Sequence, residues 1–147
     1  MSEPRSTELS RELEERTRHY YERVDAGDVE GVLAWFAHDA VYERPGYAPM
    51  RGRAALAAFY GGERVIADGA HLIDELVVDG DEDRVAVRGR FEGTLKDGSS
   101  VSLGFADFIV YGRDVGAAAG ADTGSATVSD APYRAVERRT FFDRPAV

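Results

Sequence analysis

A chain of 147 residues is one domain's worth, long enough to bury a core without disulfides or metal staples. Charged residues make up 31%, with 27 Asp+Glu against 18 Lys+Arg and a net charge of −9. That balance argues against nucleic acid or an anionic membrane as partner, since both select a basic face, and the absence of cysteine excludes disulfide scaffolds, thiolate metal sites and cysteine nucleophiles.

The opening, MSEPRSTELSRELEER, is polar and charged, unlike a secretory leader. No apolar run approaches the roughly 18 residues of a membrane span, so a cytoplasmic protein is expected. From Ser6 to Val24, the residues Leu9, Leu13, Tyr20 and Val24 fall on one helical stripe. Ala26-Gly27 ends that helix. Asp28 reads as the N-cap of a short helix, Val29–Ala37, with Val32, Leu33, Trp35 and Phe36 on its apolar face. Asp39–Arg44 reads as a short strand stopped by Pro45-Gly46. A third helix is predicted over Arg53–Val65, carrying Leu56, Phe59 and Tyr60 at spacings of three and four. After Gly69 the period changes to two, and four strands follow: His71–Val78, Arg84–Lys96, Val101–Tyr111 and Tyr133–Phe142. Asp97-Gly98 is a hairpin turn signal. Segment 112–131 is Gly, Ala, Ser, Thr and Asp with almost no large apolar residue, so it cannot offset the entropy of its own ordering. It reads as a flexible loop, either a tolerated insertion or a lid. The fold class is α+β: a single domain, 1–147, with three N-terminal helices packed on a curved, mainly antiparallel sheet. The mouth of such a sheet is a natural small-molecule pocket.

The chemistry-bearing residues narrow the field further. His19, His38 and His71 stand far apart, with no HExxH spacing, and there is no GxSxG, P-loop or GxGxxG. Neither a metal nor a cofactor is expected. Asp107 shares its strand face with Leu103, Phe105, Ile109 and Tyr111. Burial there favours the neutral acid, which can donate a hydrogen bond; the alternative is a structural pair with an arginine. Alternation puts Val87, Gly89 and Phe91 inward and Arg88, Arg90 and Glu92 outward. On the last strand it leaves the choice open between Arg134, Val136, Arg138, Thr140 and Ala135, Glu137, Arg139, Phe141. His71 reads either as a base near neutrality or as a hydrogen-bonded strand-end residue.

The segment RHYYERVDAGDVEGVLAWFAHDAVYERPGYAPMRGRAALAAFY, and the strand VSLGFADFIVYG after its KDG turn, resemble the ketosteroid isomerase and SnoaL-like polyketide cyclase branch of the NTF2-like superfamily. The resemblance implies a cone-shaped fold, an apolar cavity and a homodimer. It places Tyr20 at the family's oxyanion tyrosine, Asp107 at the aspartic acid that shares that role, and Tyr60 at a supporting tyrosine. Phe142 resembles a pocket-wall aromatic. The family's general base is a carboxylate directly before the proline that ends the first strand, and Arg44 stands there instead. Phe36 replaces a further supporting tyrosine. Arginine cannot shuttle a proton at neutral pH, and Glu43 points to the opposite face. The expected function is cofactor-free ring closure, cycloaddition included, on a hydrophobic polyketide-like carbonyl compound of natural-product biosynthesis such as that of antibiotics. Tyr20, Asp107 and Arg44 would be catalytic. Trp35, Met50, Phe59, Tyr60, Phe105, Phe142 and His71 would line the pocket. The rivals are a proton-transfer isomerase with its base moved to His71, Glu43 or Glu137, an epoxide hydrolase, and a non-catalytic binder.

Overall fold

The computed structural model describes residues 3–63, 66–79, 81–114 and 132–143. The predicted loop 112–131 lies, from residue 115 onward, outside the described residues, as do the last two residues of the predicted third helix. The first helix, α1, runs Glu3–Ala26 and buries Leu13, Thr17, Tyr20, Tyr21 and Val24 along one face. It stops where Gly27 turns to φ +73, a conformation glycine adopts at little cost. The Gly27 N–H returns to the Val24 carbonyl (3.1 Å) and the Asp28 N–H to that of Arg23 (2.9 Å), a double C-cap. Asp28 then caps α2 (Val29–Trp35) by accepting from the Gly31 N–H at 3.0 Å.

The helix predicted to Ala37 ends two residues earlier, because Phe36 and Ala37 are buried as the start of strand β1 (Phe36–Glu43). An apolar pair continuing a helical stripe is indistinguishable from a buried strand start by periodicity. A two-residue strand, β2 (Met50–Arg51), leads into α3 (Gly52–Ala58), and the predicted longer helix loosens into a π-helical turn at Phe59–Glu63. Three long strands follow: β3 (Ile66–Asp79), β4 (Arg84–Leu95) and β5 (Ser100–Arg113). The last strand, β6, spans Tyr133–Phe142. Strand β3 begins five residues before the predicted His71 and runs straight through Gly69. That glycine marks a close approach, not a strand start: a Cβ there would lie 2.3 Å from the Phe91 ring.

The helices pack on a mixed, mostly antiparallel sheet of six strands, order β2-β1-β6-β5-β4-β3, that curves around them. The exception to antiparallel pairing is β1 beside β6. Inner positions follow the predicted alternation on β4 and β5. On β6 a register shift opposite Val110 and Tyr111 leaves Val136 as an extra residue. Ala135 is therefore buried along with Arg138 and Thr140, a mixture of the two sets that strict alternation would separate. At the far end, Asp114 is buried and accepts from the His38 N–H (3.2 Å) and Arg134 Nη1 (2.9 Å), tying the end of β5 to β1. Burial opposes its charge, but the bonds from His38 and Arg134 outweigh that and bring its pKa down to about 2. No helix among the described residues is long and apolar enough to cross a membrane.

Candidate active site

The inner face of the sheet, the end of α1 and the π-helical turn line a narrow hollow whose free interior is about 20 Å³, room for about one water, so a larger ligand requires the wall side chains to move. Of the residues singled out in the sequence, Tyr20, Arg44, Phe59, Tyr60, His71, Phe105 and Phe142 all lie on its wall. Three do not. Met50 is buried opposite Tyr42 in the β1–β2 pair. Trp35 backs Tyr20, with the rings stacked 4.0 Å apart and its Nε1 donating to the Tyr111 hydroxyl at 2.9 Å. Asp107 is fully buried behind the wall.

Asp107 takes the alternative offered by the sequence, a structural pair with an arginine. Its carboxyl group accepts from Arg138 Nη2 at 2.8 Å, from the Tyr21 hydroxyl on one oxygen and from the Thr140 hydroxyl on the other. Arginine can only donate, so Asp107 serves as an acceptor that holds Arg138. The irregular register of β6 delivers the inward Arg138 that answers the buried acid. Burial works against the guanidinium charge, yet Asp107 outweighs it and holds Arg138 well above the usual arginine value.

Arg138 passes this order to two phenols. Its Nη1 donates to the Tyr20 oxygen and, at 3.2 Å, to that of Tyr60. The two hydroxyls also share a hydrogen bond of 2.5 Å. One hydroxyl hydrogen of the pair lies between them, and the guanidinium polarises both oxygens, which strengthens the pair as a donor to a third oxygen. Burial pushes Tyr20 well above the usual phenol value despite Arg138, so it remains a protonated donor.

The same hollow carries a different pair. His71, on β3, places Nδ1 2.7 Å from Asp25 Oδ1, while its own backbone N–H donates to Asp25 Oδ2 at 2.9 Å. The two contacts fix the ring, and among the described residues Nε2 has no hydrogen bond. Tyr21, Phe91 and Phe105 surround the imidazole with ring centroids 4.9–5.4 Å away. Burial among these rings lowers the pKa from 6.5, outweighing the carboxylate, and so favours the neutral imidazole. Arg44 lies at the β1 side, its guanidinium 4.9 Å from the Phe142 ring centre and 5.7 Å from those of Tyr47 and Phe59.

Asp25, Tyr21 and Thr140 were not singled out in the sequence, and Arg138 was left undecided. One signal pointed to Asp25: an acid in the last helical turn opposes the helix dipole and needs a reason to be there. Nothing in the sequence announces the extra residue that aims Arg138. Among the described residues no group of three or more metal-ligating side chains is close enough to hold a metal ion.

The family model described as SnoaL-like domain matches residues 17–119, well over half of the chain. Among solved structures, the epoxide hydrolase/cyclase-like enzyme SalBIII, of pyran ring formation in the polyether salinomycin, superposes with a TM-score of 0.67 at 20% identity, covering 90% of this chain and 91% of that one. An NTF2-like protein with a cystatin-like fold from Novosphingobium aromaticivorans gives 0.67 at 25%, covering 95% and 84%. A ketosteroid isomerase-like protein from Erwinia carotovora atroseptica gives 0.64 at 21%, covering 90% and 95%.

Proposed function

Because the chain belongs to the SnoaL-like domain family, we propose that it is a cofactor-free enzyme that closes or rearranges rings in a hydrophobic, polyketide-like carbonyl compound, beginning with removal of a proton beside the carbonyl. The observation that carries this reading is His71, fixed by Asp25 in a setting that favours its neutral form, on the same hollow as the Arg138-backed pair Tyr20–Tyr60. The base missing at Arg44 has a substitute on β3, which favours proton transfer over a base-free cycloaddition. His71 Nε2 takes the proton from the α-carbon, and the electron pair of that C–H bond becomes an enolate. Its oxygen is stabilised by a phenolic hydrogen of the tyrosine pair. The enolate carbon then attacks a second carbonyl of the same chain, or is reprotonated at a new position. The resulting alkoxide or carbon takes the proton back from His71, which returns to its neutral form. The apolar wall holds a flexible chain in the reactive conformer.

The cavity-level test is exchange of α-protons in a panel of 1,3-dicarbonyl compounds in D2O, followed by mass spectrometry. Wild type should accelerate deuterium uptake, and His71→Gln should lose 10²-fold or more. Binding of the panel without exchange would favour a non-catalytic binder. The proposal includes a homodimer in the cytoplasm. The outer sheet face leaves Leu72, Val77, Phe108 and Phe141 about half exposed, between Arg84, Arg88 and Arg139 on one hand and Glu75 and Glu137 on the other. A second copy of the same face offers both the apolar cover and the opposite charges. Sedimentation of Phe108→Glu should show a monomer where the wild type is dimeric.

A further inference from the structure

Trp35 stands behind the wall of the hollow and reaches the site through Tyr20, whose ring it stacks at 4.0 Å and 25°. Thr17 and Tyr20 lie one turn apart on the same face of α1. A chain of hydrogen bonds joins them the long way round, through β5 and α2. Thr17 Oγ1 donates to the Leu13 carbonyl at 2.7 Å. A carbonyl only accepts, so that hydroxyl hydrogen is committed. The Tyr111 hydroxyl, 2.7 Å from Thr17 Oγ1, is therefore the donor in their contact. Burial pushes the Tyr111 phenol up to about 12, so it keeps the hydrogen it donates. Its oxygen in turn accepts from Trp35 Nε1 at 2.9 Å, and an indole N–H can only donate. Each hydrogen of the chain thus has one place. Thr17, Tyr111 and Trp35 are all buried, and the Tyr111 backbone N–H bonds to the Asp83 carbonyl at 2.8 Å.

These bonds fix the indole, and the indole supplies a restraint that Arg138 does not. Arg138 holds the Tyr20 oxygen. A bond at the tip of a phenol does not by itself set the rotation of the ring about its long axis, a torsion with broad minima. Stacking on a fixed indole does set it. The O–H bond of a phenol prefers the plane of its ring, so that plane decides where the hydroxyl hydrogen points. We propose that Trp35, held by Tyr111 and Thr17, is the positioning residue of the Tyr20–Tyr60 pair: the buried chain fixes the indole, the indole fixes the plane of the Tyr20 ring, and the plane aims the pair at the oxygen it stabilises. The inference rests on the reading of that pair as the donor to an enolate oxygen.

The test is Tyr111→Phe, which cuts the chain and keeps the ring, read by NMR of ring-labelled tyrosine. The Tyr20 ring should flip about tenfold faster than in wild type, whereas that of Tyr42, buried outside this stack, should keep its rate. Thr17→Val cuts the chain at its other end in nearly the same shape and should move the Tyr20 rate in the same direction. With the 1,3-dicarbonyl probes, Tyr111→Phe should lower kcat about tenfold at nearly unchanged KM, because aim and not affinity is lost. Trp35→Phe keeps a stacking ring and should retain more of kcat than Trp35→Leu. An unchanged Tyr20 flip rate in both chain variants, an effect on KM alone, or an unchanged kcat would overturn the proposal. A wild type without α-proton exchange would instead sink the proton-transfer reading, and the flip rates would still decide whether the chain holds the plane of Tyr20.

Discussion

Two acid–base pairs border the same cavity and differ in what they can do. Asp107–Arg138 is buried at both ends, 0% and 5% exposed in its side chains, and Asp25–His71 is partly open at 25% and 10%. The first pair contains a guanidinium, which holds its proton at every pH the protein survives. It can only orient, and it does so by fixing the tyrosine pair. The second contains an imidazole whose neutral form is favoured by its surroundings, and which can accept a proton and return it. One geometry, a carboxylate bonded to a nitrogen base, is thus a scaffold in one pair and, in the proposed reaction, a proton carrier in the other. Burial and the identity of the base decide which.

The sharpest break of the comparison is removal of one scaffold partner. Arg138→Met or Asp107→Leu leaves the other charge buried alone, and each should cost about 3–5 kcal/mol in denaturant unfolding. The double variant should recover much of that loss, because it removes both desolvated charges. A double variant no more stable than the singles would mean that the pair contributes net stability beyond satisfying itself.

His71→Gln should invert the pattern, with turnover of an exchangeable carbonyl probe falling 10²- to 10⁴-fold and unfolding changing less than in Arg138→Met. Tyr60→Phe comes next, removing one hydroxyl of the donor pair while Arg138 still holds Tyr20. A loss in kcat approaching 10²-fold, with KM nearly unchanged, is expected of a donor that acts mainly on developing charge. The smallest effect is on stability against pH. The folded pKa of His71 lies below its unfolded value of 6.5, so between the two the unfolded chain binds more protons. Its contribution is full above 6.5 and is lost as pH falls through the lower folded value. Unfolding free energy should therefore rise with pH across that window, and His71→Gln should flatten the rise.

The sequence made one member of each pair readable and hid the other. Asp107 stood out because an acid in an apolar strand face demands a partner, but the partner could not be named. Alternation fixes inward residues only while the register is regular, and the extra residue at Val136 breaks it just before Arg138. The aromatic wall was legible at Phe59, Phe105 and Phe142 and misjudged at Trp35 and Met50, since large apolar residues of core and cavity share one pattern. His71 was visible as a candidate, whereas Asp25 became its partner only through the fold, 46 residues away at the end of α1. Strands β4 and β5 were placed within a residue or two because alternation and a strong turn agree there. The ends of α2 and α3 were not, because an apolar stripe does not say whether the next turn stays helical.

The most direct test of the central claim needs no substrate. Nitrogen-15 NMR of the imidazole, titrated from pH 8 to 4, reports both tautomer and protonation of His71. The expected result is a proton on Nδ1, bound to Asp25, an unprotonated Nε2, and a titration midpoint below 6.5 that shifts in Asp25→Asn. A proton on Nε2 at neutral pH, or a midpoint above 6.5, would contradict the assignment of this pair as the proton carrier of the cavity.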